Sequence, residues 1–162
     1  MRKAGNNMTE TATESVKYDG LQDRYLLFCI GDTNYGLPLA MALEILNIQP
    51  ITRLPCVSPY IKGIVNLRGK VIPVLDVRAK LGMVERGYDD ATCIIVIDLH
   101  DMHIGLIADR VSEVLTVPQE NIIAPPKNSA SYIDSVSDLD GKTVLNLDCE
   151  AFFRDDLDQN LS

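Results

Sequence analysis

The sequence predicts an all-β protein, a sandwich or barrel built from short strands. Two observations carry that expectation. About nine or ten short apolar runs follow one another with turn residues every 8–12 positions, the spacing of antiparallel β architectures. The stretches rich in helix formers are all too short to stand as independent helices. Composition is compatible: the chain has 162 residues, 46% of them hydrophobic, which suffices for a real core in one domain or two closely packed lobes.

Residues 1–22 are rich in Thr, Glu, Asn and Ser and are expected to be a flexible N-terminal tail. Met1 to Asn7 carries basic residues but no apolar region behind them, so no signal peptide is read, and no run approaches the roughly 20 residues of a membrane span. The cytoplasm is the expected address. The folded part begins at Arg24. Tyr25 to Ile30 reads as a strand buried on both faces, Gly31 to Asn34 as a turn, and Tyr35 to Leu39 as the returning strand of a first hairpin. Ala40 to Leu46 has good helix formers and no Gly or Pro, which predicts a helix of one or two turns. Ile48 to Leu54 reads as a strand closed by Pro55, and Ser58-Pro59-Tyr60 as a helical turn with serine as cap.

The most informative stretch follows. Ile61 to Leu67 and Val71 to Val77 are two apolar runs flanking Arg68-Gly69-Lys70, the pattern of a β-hairpin whose glycine permits the reversal. The turn lifts Arg68 and Lys70 out of an apolar mount. Pro73 cannot donate to a ladder, so its strand should lie at an edge or beside a bulge there. Asp76 and Gly82 bracket a short capped helix, and Met83 to Asp90 is a charged connector. Thr92 to Ile97 is a central strand, Leu99 to Met102 a turn, and His103 to Ala108 and Val111 to Val117 are strands. Ala124 to Ser131 reads as a loop, Tyr132 to Val136 as a weak strand, Asp138 to Gly141 as a turn and Lys142 to Leu147 as the last strand. Asp148 is placed to cap a terminal helix through Asp156, with a C-terminal tail at 158–162. No internal repeat is legible.

Chemistry is sparse. The formal net charge is −8, which disfavours nucleic acid or an anionic membrane surface as the main partner. Cys29, Cys56, Cys93 and Cys149 form no C-x-x-C pair and read as structural thiols. His100 and His103, with Asp98 and Asp101, have metal-ligand residue types, but a solvated turn with no third ligand of fixed spacing reads better than zinc. Gly63 to Lys70 is a poor phosphate loop, because Val71 stands where a magnesium-binding Ser or Thr belongs. No nucleophile–histidine pairing suggests itself for acyl transfer. The acidic run Asp155-Asp156-Leu157-Asp158 reads as a solvated helix end. Neither metal nor cofactor is implied. In contrast, Lys62, Arg68, Lys70, Arg78 and Lys80 crowd one stretch whose only acid is Asp76. That is either an ordinary exposed face or a docking surface for a negatively charged partner.

The segment Lys62-Gly63-Ile64-Val65-Asn66-Leu67-Arg68-Gly69, followed by Ile72-Pro73-Val74-Leu75-Asp76-Val77-Arg78, resembles the signature of the CheW family, adaptors of bacterial chemosensory arrays. The resemblance extends over about residues 23–157 and implies two closely packed five-stranded SH3-like barrels with short helices. It further implies a non-enzymatic scaffold at the inner face of the membrane, without membrane insertion of its own. The implied partners are the cytoplasmic tip of methyl-accepting chemotaxis receptors and the regulatory domain of a CheA-type histidine kinase. Carried over by motif, Glu44 in Leu43-Glu44-Ile45 and Arg68 in the N-L-R-G turn are implied interface residues, and an internal Glu44–Arg68 pair is the alternative. Val111 and Val114 match positions lining a groove between the lobes, with plain core as their other reading. Ala42 stands where a bulkier aliphatic residue is common, which puts its contact in doubt, and Gly63 is read as serving backbone geometry more than binding. Two other functions stay open at this level: an adaptor of a non-flagellar chemosensory system controlling pilus motility or a second messenger, and a small thiol or metal enzyme.

Overall fold

The computed structural model describes residues 23–139 and 141–154. The expected tails, the acidic run from Asp155 and the far end of the terminal helix lie outside the described residues.

The all-β expectation holds. Strands β1 (Arg24–Ile30), β2 (Thr33–Pro38), β8 (Arg110–Thr116), β9 (Ile122–Ile123), β10 (Ile133–Leu139) and β11 (Lys142–Leu147) form one sheet, in the order β8-β1-β2-β11-β10-β9. The other sheet has the order β3-β6-β7-β5-β4 and contains β3 (Ala42–Asn47), β4 (Ile61–Leu67), β5 (Lys70–Asp76), β6 (Cys93–Leu99) and β7 (Met102–Ala108). The division into two small units is therefore met, with the two-residue β9 as a sixth strand in one of them. The two α-helices among the described residues are single turns, α1 (Val77–Lys80) and α2 (Cys149–Phe152).

The strand read as central, β6, is apolar from Cys93 to Ile97 because it serves two cores. Along β6, Cys93, Ile95, Ile97 and Leu99 enter the main cluster, which joins both sheets through Leu26, Phe28, Ile30, Leu106 and Phe153. The alternate residues Ile94 and Val96 enter a second cluster with Val65, Ile72, Val74 and Ile107. A two-residue period with apolar groups on both sides gives the near-continuous apolar run.

Three local expectations need correction. Ala40 to Leu46 is not a helix. A 3-10 turn at Leu39–Met41 leads straight into β3, which pairs antiparallel with β6. Helix propensity over so few residues is worth less than a ladder of hydrogen bonds along the edge of a formed sheet. Ile48 to Leu54 is not a strand either: Pro50 interrupts it, and only Thr52 bridges, to Ile64. Ser58 to Tyr60 is a turn, closed by Ile61 N–H donating to the Ser58 carbonyl at 2.9 Å, and no helical turn forms there. Pro73, by contrast, sits where it should. It lies opposite Ile64, one residue before β5 begins its parallel pairing with β7 at Val74, and beside the irregularity between Ile61 and Gly63. Asp76 caps α1 by accepting from Ala79 N–H, and Asp148 caps α2 by accepting from Ala151 N–H.

The structure also reveals the repeat that inspection of the sequence misses. The order β3-β6-β7-β5-β4 reproduces β8-β1-β2-β11-β10 element for element, and in each sheet one contact is parallel, β5 with β7 and β11 with β2. The hydrogen bonds repeat as well. Asp76 N–H donates to the Tyr60 carbonyl and Asp148 N–H to the Tyr132 carbonyl, both at 2.8 Å. At one constant offset Tyr60, Ile61, Leu67, Gly69, Lys70, Leu75, Asp76 and Ala79 recur as Tyr132, Ile133, Leu139, Gly141, Lys142, Leu147, Asp148 and Ala151. The match escapes notice because intervening positions have diverged in kind. Val74, Gly63 and Val65 correspond to Asn146, Ser135 and Ser137, a buried polar cluster in which the Asn146 amide donates at 3.1 Å and 2.7 Å to the two hydroxyls.

Candidate functional site

The β4–β5 hairpin turns through Arg68 and Gly69, which have φ of 52° and 84°. Two successive left-handed residues make the tight turn that matches strand twist, and the first position is usually Asn, Asp or Gly. An arginine there is locally unfavourable. Asn66 supports the turn by accepting from Gly69 N–H at 3.0 Å.

Glu44 lies on β3, across the mouth of the same unit. Both Arg68 Nη1 and Nη2 donate to its carboxylate at 2.8 Å, one to each oxygen. The site residues Glu44 and Arg68 are thus brought together, and the internal pair is formed. Hydrogen bonds from Arg68 hold the Glu44 carboxyl below the usual range. The pair is open to solvent, with 73% of the Arg68 side chain and 26% of that of Glu44 exposed. Around it lies a shallow depression of about 380 Å³ whose walls include Leu43, Leu67, Lys70, Ile72 and His103. Lys70 Nζ approaches His103 Nδ1 at 3.5 Å, so this end of the unit gathers three basic side chains about one carboxylate.

The remaining site residues fall elsewhere. Gly63 is buried in β4 with φ of 143°, and a Cβ there would overlap the Thr52 carbonyl. It serves the backbone. Val111 lies opposite Phe28 and Val114 opposite Leu26, residues of the main cluster, so both valines belong to the sheet face that carries the core between the two units. Val111 packs partly against that core, whereas Val114 is 39% exposed. Ala42 packs partly against the same core from β3, opposite Ile97. Ala42 and Ile45 occupy the repeat positions of Val111 and Val114. Ile45, which the sequence reading passed over, is 46% exposed, and its neighbour Leu43 is 49% exposed. Their signal was the alternation of Leu43, Glu44, Ile45, Leu46 and Asn47, hidden by reading them as helix. In the second unit the equivalent of Glu44 is Glu113, which accepts from Lys142 at 2.6 Å.

Among the described residues no group of three or more His, Cys, Asp and Glu is arranged to hold a metal. His100 and His103 are parted: His100 contacts Glu150 at 2.6 Å, while His103 faces Lys70. Cys29, Cys93 and Cys149 are buried and Cys56 is exposed, all as free thiols. No helix of the described residues is long and apolar enough to cross a membrane.

A family model described as CheW-like domain matches residues 24–157. The chain belongs to the CheW family of chemotaxis scaffold proteins. Its relatives include Chemotaxis protein CheW of Klebsiella aerogenes, 29% identical over 130 residues that make up 78% of each chain. Chemotaxis protein CheW of Bacillus subtilis is 35% identical over 105 residues, 65% of this chain and 67% of its own. Among solved structures, the scaffolding protein TtCheW from Thermoanaerobacter tengcongensis superposes with a TM-score of 0.77 at 28% identity, covering 82% of this chain and 92% of that one.

Proposed function

We propose that this chain is a non-enzymatic coupling scaffold, holding the cytoplasmic tips of methyl-accepting chemoreceptors against the regulatory domain of a CheA-type histidine kinase. Its place is the receptor array at the inner face of the membrane. The observation that carries the reading is the Glu44–Arg68 clamp, a bidentate pair on a hairpin tip that contributes nothing to a core. Arginine offers five donors in a fixed fork, of which the clamp uses two, leaving the outer edge for a partner's carboxylate or carbonyl. A coupling protein transmits receptor state through differential affinity across such contacts, because it has no chemistry of its own with which to do so. The apolar positions Ala42, Val111 and Val114 would supply the second contact, beside the core between the units.

The test is kinase autophosphorylation with receptor-containing membranes, using components from the protein's own host. Activation should require this protein and fall in Arg68→Ala and Glu44→Lys. The exchanged double variant, Glu44→Arg with Arg68→Glu, restores the internal pair but inverts what a partner meets. It should remain inactive. Full rescue by the exchange would show that the two residues only orient each other, and activation unaffected by any of these changes would remove them from the interface.

A further inference from the structure

A cleft lies away from the Glu44–Arg68 clamp, beneath the connector between α1 and β6. It encloses about 490 Å³, within the range of small-molecule sites, and its lining includes Gln49, Ile51, Arg53, Lys62, Arg86 and Tyr88. Its floor is Asp76, 5% exposed, whose carboxylate is spoken for: one oxygen accepts from Ala79 N–H at 3.4 Å and the other from the Tyr88 hydroxyl at 3.0 Å. Burial and the adjacent Asp76 push the Tyr88 phenol upward, so it remains a donor.

The connector is tied down by polar contacts. Lys62 holds Glu85 at 2.6 Å, Arg78 donates to the Val84 carbonyl at 3.1 Å, and Arg86 reaches Asp89 at 3.0 Å and Asp109 at 3.4 Å. Arg53 is different. Its backbone is fixed beside β4, because Thr52 exchanges hydrogen bonds of 2.9 Å and 2.8 Å with Ile64, and its guanidinium acts on Glu85 and Tyr88 through space without a hydrogen bond or close ion pair among the described residues. A guanidinium so placed, with its hydrogen-bond donors unused and two more cations in the cleft, is suited to an oxyanion. Glu85 is the one surface carboxylate in the lining, and it occupies Lys62.

At the repeat position of Lys62 the second unit has Asp134, which with Asp148, Asp98, His100 and Glu150 lines a different cleft of about 420 Å³. The repeated fold therefore does not require a cation at the Lys62 position, and this one stands in a chain whose formal charge is −8.

We propose that the cleft under residues 83–91 binds a small oxyanion, a phosphate ester or a carboxylate, through Arg53, Lys62 and Arg86, with Glu85 as the internal group it displaces from Lys62. This does not rest on the coupling role, and the test contains no kinase or receptor. The full-length protein is titrated with inorganic phosphate, AMP and succinate at low salt, following backbone amide resonances of residues 84–88. A saturable response is expected. Phosphate and AMP acting without succinate identify a phosphate site, and the reverse a carboxylate site. Arg53→Ala should weaken binding about tenfold, the loss of one charge-assisted contact, with melting temperature unchanged because that side chain is exposed and makes no close ion pair. Glu85→Gln should strengthen it a few-fold by releasing Lys62. No saturable response to any probe below about 10 mM, wild-type affinity in Arg53→Ala, or weaker binding in Glu85→Gln each overturns the proposal.

Discussion

Gly63→Ala separates backbone geometry from binding most sharply. The methyl group would enter the Thr52 carbonyl, and its distance to the Arg53 Cα would be only 3.0 Å. The φ of 143° is moreover a conformation that a residue with a Cβ resists, at a cost of about 1–3 kcal/mol. To make room, the segment at Thr52 must retreat from β4 and surrender its two hydrogen bonds with Ile64, each worth about 1 kcal/mol. Ile51, which packs against the second core cluster, moves with it. A loss of about 3–5 kcal/mol results, a large fraction of the roughly 5–15 kcal/mol that holds a domain together. With a urea dependence of about 1–3 kcal/mol per molar, the unfolding midpoint followed by circular dichroism should fall by roughly 2 M. A midpoint within about 0.3 M of the wild type, in a variant that no longer supports the kinase, would falsify this account and make Gly63 an interface residue.

Arg68→Asn places a residue suited to the left-handed turn at the hairpin tip, so thermal melting should shift by no more than a few degrees while kinase coupling is lost. Asp109 is acid-sensitive in a definite direction. Burial raises its pKa, but hydrogen bonds from Arg78 at 2.6 Å and Gly31 N–H at 2.6 Å outweigh that and leave it lowered. A depressed carboxyl contributes stability that is complete above its unfolded pKa of about 3.9 and is lost as pH falls through the folded value. Wild-type urea midpoints should therefore drop between about pH 5 and pH 3, and Asp109→Asn should start lower and drop less. Native thiol titration at pH 8 should find Cys56 alone reactive, since the other three are buried and burial pushes Cys149 up to about 12. Reaction of Cys93 or Cys149 at the rate of Cys56 would mean that the core opens readily.

Periodicity was enough to find the strands that carry the core, because burial on both faces leaves a run of apolar residues that no turn interrupts. Turn chemistry placed both caps, as Asp76 and Asp148 have the side chain that satisfies the open N–H groups of a helix start. It failed where tertiary contacts decide. Ala40 to Leu46 has the propensity of a helix and the fate of an edge strand, since β6 offers a ladder that no local score contains. That misreading put Glu44 on the wrong kind of element, although the pairing with Arg68 was foreseen as one of two alternatives. The connector was recognisable as charged, but nothing in its sequence announces that Tyr88 reaches back to Asp76 or that Arg53 stands within electrostatic reach of Glu85 and Tyr88.

The repeat explains why function can be concentrated in one unit. Both copies need Asp at the end of the second hairpin strand, a small helix after it and a glycine in the turn, and these positions are the ones preserved. Positions free of that duty have drifted, and they have drifted in charge. Lys62 corresponds to Asp134 and Arg78 to Glu150, and the clamp of Glu44 with Arg68 becomes the simpler contact of Glu113 with Lys142. The two clamps are not equivalent chemically. Lys142 is a strand residue presenting a single mobile ammonium, whereas Arg68 is itself the turn residue, presenting a planar fork held at two points. Preorganisation of that kind favours a partner that must be held in one orientation, as the proposed receptor tip beside a kinase would have to be. The cost of an arginine in a left-handed conformation is then intelligible, because an asparagine would make the better turn and no clamp.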